Sequence, residues 1–94
     1  MKTVQHKPKN KEELKKLTDD DNIYLGYIDT SLITDMSFLF KDSRRKNFDG
    51  IKNWNVPNVA DMTYMFKNAL FFDEDLNNWD TSNLKKILSC FLML

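Results

Sequence analysis

Apolar residues fall at one spacing three times along the chain: Ile33, Met36 and Phe40, then Val59, Met62 and Phe66, then Leu84, Ile87 and Phe91. Each triplet is an i, i+3, i+7 stripe. That spacing gathers side chains on one helical face, so a short helix is predicted at each. Ser31 and Ser82 are predicted N-caps, Pro57-Asn58 supplies a proline and an Asx cap, and Asp35 and Asp61 fall in the first turn, where negative charge suits the helix dipole.

The stripes belong to longer matching segments: Ile28-Asp-Thr-Ser-Leu-Ile-Thr-Asp-Met-Ser-Phe-Leu-Phe40, Trp54-Asn-Val-Pro-Asn-Val-Ala-Asp-Met-Thr-Tyr-Met-Phe66 and Trp79-Asp-Thr-Ser-Asn-Leu-Lys-Lys-Ile-Leu-Ser-Cys-Phe91, at offsets of 26 and 25 residues. Nine of the thirteen columns of the first two segments are identical or similar in kind, without gaps. A period between about 20 and 50 residues marks a repeat array. Upstream of the stripes, Ile51-x-x-Trp54-x-Val56 and Leu76-x-x-Trp79-x-Thr81 resemble the strand of leucine-rich repeats, with tryptophan in the middle position. The predicted fold is therefore α/β, a short leucine-rich-repeat-like solenoid of strand-plus-helix units. Residues 23–50 and 51–75 form its first two units and 76–94 an incomplete third. The return connections, 41–50 and 67–75, are polar but carry Phe48 and Leu70-Phe71-Phe72, which are expected to tuck beneath the helices.

Residues 1–22 lie outside the repeat. Asn10-x-x-Glu13 is a capping-box-like start for a helix running to about Asp19, with Leu14 and Leu17 on one face and Glu12 and Lys16 as an i, i+4 pair. This segment is expected to cap the array, and residues 23–28 to form its first strand.

Composition narrows the function classes. Fourteen Lys and Arg balance fourteen Asp and Glu, so no net field draws the chain to nucleic acid or to an anionic membrane. No run approaches the length of a membrane span, and the N-terminus lacks the apolar core of a secretory signal. The single cysteine, Cys90, cannot form an intramolecular disulfide, and with only His6 beside it a zinc site lacks its usual donors. No cofactor is expected.

The run from Trp54 to Phe66, Trp-Asn-Val-x-Asn-Val-x-Asp-Met-x-x-Met-Phe, resembles the signature of BspA-like bacterial surface-protein repeats. Phe72-Asp-Glu-Asp-Leu-Asn-Asn-Trp79-Asp-Thr-Ser-Asn83 is similar to that family's linking stretch, and Lys7-Pro-Lys-Asn-Lys-Glu-Glu-Leu14 with residues 29–36 to its entry into the first repeat. The resemblance implies a leucine-rich-repeat-like fold displayed on cell surfaces, a role in adhesion for some members, and no catalytic residues. The third unit departs from the pattern: Lys86 stands where the others have aspartate, and Cys90 where methionine or leucine is expected.

Candidate chemistry is sparse. Trp54 and Trp79 could stack on a sugar or peptide, but aromatics repeated at a fixed strand position are expected to be core steps. Asp73-Glu-Asp75 and Asp19-Asp-Asp21 lack the spaced oxygens and glycine of a calcium loop and read as solvated turns. The loop Arg44-Arg-Lys46 is the best polar binding candidate. Cys90 reads as a buried inert thiol, His6 as a residue without a catalytic partner, and Met36, Met62 and Met65 as core filler. The expectation is a non-enzymatic scaffold for protein contact or adhesion, with no nucleic acid partner. Its apolar C-terminal run would meet a protein partner or another copy. The alternative is a truncated fragment of a longer array whose only activity is self-association.

Overall fold

A computed structural model describes residues 4–87 and residue 90. The one α-helix among these residues, α1 (Lys11–Thr18), begins as its sequence requires: the Asn10 side chain accepts the Glu13 N–H at 2.9 Å, and Glu13 Oε1 in turn accepts the Lys9 N–H at 2.9 Å. Leu14 is fully buried, and the i, i+4 ion pair on this helix is Lys15–Asp19 at 3.3 Å rather than Glu12–Lys16. The helix rests on the first unit, where Lys11 Nζ donates to Ser37 Oγ (3.0 Å) and Lys15 Nζ to the Leu39 carbonyl (3.3 Å).

The rest is not the predicted strand-plus-helix solenoid. Among the described residues there is no strand, only isolated parallel bridges at His6–Ile28, Asp35–Asp61 and Asp61–Lys86. The expected strands at 23–28 and 51–56 are instead 3-10 turns, Leu25–Tyr27 and Ile51–Asn53, and the third, at 76–81, is an irregular turn. The expected helices at 33–40 and 59–66 are successive turns, as is the described part of 84–91; Phe91 lies outside the described residues.

Backbone hydrogen bonding gives the reason. Met36, Phe38, Phe40 and Asp42 donate their N–H groups to the carbonyls of Asp61, Thr63, Met65 and Lys67 in the next unit, at 2.8–2.9 Å. The intervening Leu39, Lys41 and Ser43 donate within their own unit, to Met36, Phe38 and Phe40. An α-helix would need every N–H directed to the carbonyl four residues back. Four of the described non-glycine residues, with positive φ, also exclude one: Phe38 (64°) and Asp42 (60°), matched 26 residues later by Tyr64 (55°) and Asn68 (57°).

The aspartates start these turns instead of serving a helix dipole. Asp29, Asp35, Asp61 and Asp80 each accept, through Oδ1, the N–H two residues on, at 2.8–3.0 Å. The turns stack at the sequence period, so equivalent side chains meet: Phe40 on Phe66 (5.5 Å, 9°) and Trp54 on Trp79 (6.3 Å, 7°). Phe48 and Phe72 close this core, whereas Leu70 and Phe71 remain exposed and do not tuck inward. The two glycines meet where the first units touch; a Cβ on Gly50, whose φ is +89°, would lie 2.5 Å from the Gly26 nitrogen. The radius of gyration, 12.1 Å, is that of a compact globule of this length, about 12 Å.

Candidate functional site

The two tryptophans are core steps. Trp54 and Trp79 are 5% and 8% exposed, and their indole N–H groups donate to the carbonyls of Leu25 (2.8 Å) and Ile51 (3.0 Å) in the preceding unit. Neither is an exposed platform: one face of each indole is taken by the other, and what remains open of Trp79 lines the apolar groove of the third unit.

The basic loop divides. Arg44 and Lys46 are exposed, but Arg45 is buried, 4% exposed, and its guanidinium is engaged with backbone carbonyls. Nη1 donates to Thr18 (3.0 Å) and Asp20 (2.8 Å), Nε to Asn47 (2.8 Å), and Nη2 to Ile23. Burial lowers its pKa from the ordinary arginine value, and the charges of Asp21 and Asp20 oppose that. The polar groove beside it, about 320 Å³, is lined by Lys15, Asp19, Asp21, Lys41, Asp42 and Arg44. Its charges largely cancel, with Lys15 on Asp19 and Lys41 on Asp42 at 3.3 and 3.4 Å.

An exposed aromatic face was not foreseen. Phe38, 45% exposed, and the half-buried Tyr64 stand in register on adjacent units with ring centroids 5.6 Å apart. Lys11 Nζ lies 5.9 Å from the Phe38 centroid, and Lys67 Nζ lies 4.7 Å from that of Tyr64. Assigning these residues to helices concealed that both occupy left-handed backbone. The signal was present in Asp35-x-Ser37 and Asp61-x-Thr63, where an Asx turn immediately precedes the aromatic.

A second apolar surface closes the third unit: a groove of about 220 Å³ lined by Met62, Leu76, Trp79, Leu84, Ile87 and Cys90. Among the described residues, no group of three or more His, Cys, Asp or Glu could hold a metal ion. Also among them, no helix is long and apolar enough to cross a membrane.

Residues 10–93 match the family model described as Mycoplasma protein of unknown function, DUF285. The chain belongs to that family. No curated protein and no solved structure matches it. The match takes in α1, both 3-10 turns and both apolar surfaces of this DUF285 chain. Cys90 lies inside it as well, buried, with desolvation pushing its thiol pKa up to about 11.

Proposed function

We propose that this DUF285 chain is a non-catalytic protein-contact module of the BspA-like surface-repeat kind. Its contact surface is the face bearing Phe38 and Tyr64. The observation carrying this reading is the pairing of strain with exposure. A left-handed backbone costs a bulky L-residue about 1–2 kcal/mol, and residues such as asparagine accept it more readily. Asp42 and Asn68 hold the neighbouring left-handed positions in the ordinary way, whereas Phe38, 45% exposed, and the half-buried Tyr64 hold large rings there at the same cost twice over. Exposed aromatics beside lysine stems suit the centre of a protein interface, where rings are enriched and their desolvation supplies affinity.

The test is the double variant Phe38→Asn, Tyr64→Asn. Relief of strain, about 2 kcal/mol over two sites, offsets the ring–ring and cation–ring attraction that the variant forfeits, about 1–2 kcal/mol. The variant should therefore melt within a few degrees of the parent chain while losing the protein adduct formed by a photo-crosslinker placed at Lys67, whose ammonium lies over the Tyr64 ring. A variant that unfolds would make the rings structural, and an unchanged adduct would move the contact surface elsewhere.

A further inference from the structure

Equivalent positions are not equally covered along the stack. Met36 and Met62 are 0% and 3% exposed, but Ile87, in the same register, is 55% exposed. Leu25 and Ile51 are fully buried, while their counterpart Leu76 is only partly so. Val56 is buried and its counterpart Thr81 is exposed. What covers Met36 and Leu25 is the following unit; on the third unit the same surface forms the apolar groove.

The hydrogen bonds state what this groove is shaped to receive. Leu25 O accepts the Trp54 indole N–H and Ile51 O accepts that of Trp79. In the same register Leu76 O accepts only the Trp79 backbone N–H among the described residues. A second acceptor series runs beside the first. Asn58 Nδ2 donates to Ser31 O and Asn83 Nδ2 to Pro57 O, which makes Ser82 O the next in line; no described residue donates to it. Both donors come from one segment, Trp54-x-x-x-Asn58 or Trp79-x-x-x-Asn83.

We infer that the open side of the third unit binds a Trp-x-x-x-Asn segment of another repeat unit. The indole would stack on Trp79 and donate to Leu76 O, and the asparagine amide would donate to Ser82 O. A second copy of this chain does not supply that segment on its surface. Trp54 and Trp79 are buried with their indole donors engaged, and the first unit carries Ile28 and Leu32 in the two positions, with residues 5–6 hydrogen-bonded along it. This surface is separate from the Phe38–Tyr64 face, so its failure leaves the contact-module reading standing.

The experiment titrates the full chain with a synthetic peptide copying residues 51–75, using calorimetry and amide exchange at Ile87. The expected result is saturable binding with slowed Ile87 exchange. Affinity should fall about tenfold for the peptide carrying Trp54→Phe, and again for Asn58→Leu, since each removes one donor from a desolvated acceptor. Binding should vanish in the chain variant Ile87→Lys, whose far-ultraviolet spectrum checks that it still folds. Three results would overturn the inference: no binding of the parent peptide, equal binding of all three peptides, or a dimer of the chain that Ile87→Lys dissociates and the peptide does not.

Discussion

Replacing Arg45 should do more damage than replacing any other charged residue of the chain. Its guanidinium joins three pieces of backbone: the end of α1 and the turn after it (Thr18, Asp20), the entry to the first unit (Ile23) and its own loop (Asn47). In Arg45→Ala these carbonyls lose a charged donor, each such bond contributing about 1.5–3 kcal/mol before compensation. Water can reach the Asp20 and Asn47 carbonyls, because both residues are exposed, and recovers part of that. The Thr18 residue is buried at 1% exposure, so its carbonyl stays unsatisfied at a cost of about 1–3 kcal/mol. With the packing of the arginine stem also lost, the expected destabilisation is about 3–5 kcal/mol, in line with breaking a buried charged network.

The ion pair to Asp21 contributes little, because its 3.9 Å separation and the exposure of Asp21 leave it screened; Asp21→Ala should cost less than about 1 kcal/mol. Arg45→Lys keeps the charge but not the planar fork and should recover less than half the loss. Urea unfolding followed by circular dichroism measures all four, with the exposed Arg44→Ala as a control expected within about 0.5 kcal/mol of the parent. Equal, small effects at positions 44 and 45 would refute the reasoning.

Trp54→Ala should cost about 3–5 kcal/mol, and Trp54→Phe about 1–3 kcal/mol, since the latter mainly leaves the Leu25 carbonyl without its indole donor; thermal melts separate the two, and an unchanged melt for either would contradict the core assignment. Acid should weaken the fold in a definable window. The Ser31 N–H and hydroxyl, with Lys7, hold Asp29 below the usual carboxylate pKa, and at Asp35 the upward push of burial is outweighed by Ser37 and Lys11. A folded-state pKa below the unfolded one gives stability that is complete above about pH 4 and declines as pH falls further, so Asp29→Asn should flatten that decline in urea midpoints taken from pH 6 to pH 2. The Cys90 thiol, buried and with its pKa near 11, should resist iodoacetamide at pH 7.5 in the folded chain and react fully in urea, which mass spectrometry reads directly; alkylation of folded protein at the rate of free cysteine would contradict its burial.

Much of this was legible in the chain. The 26- and 25-residue offsets reappear as physical contacts between Asp35, Asp61 and Lys86 and between the stacked rings. The cap at Asn10 and Glu13 was read correctly because capping is local. The local conformation of each unit was misread because an i, i+3, i+7 stripe reports which residues face inward, not which hydrogen bonds hold them there. Ile33, Met36 and Phe40 are all buried, as a helix would have them, but on consecutive turns. Arg45 could not be told from Arg44 at all, since its acceptors lie 22 to 27 residues away in sequence for three of its four bonds.

One property of the backbone links the missing helices, the left-handed residues and the bare groove. In the first unit, the N–H groups of Met36, Phe38, Phe40 and Asp42 point to a neighbouring unit and those between them point inward. Such alternation cannot be built from right-handed helical dihedrals throughout, so a left-handed residue is required at intervals, as at 38, 42, 64 and 68. It also leaves each unit incomplete alone, because buried backbone groups must find partners and half of these lie in the unit above. The first two units have that neighbour. In the third unit the carbonyls of Leu76 and Ser82 hold the register positions that accept a tryptophan and an asparagine in the first two units, and Leu76 lines the apolar groove.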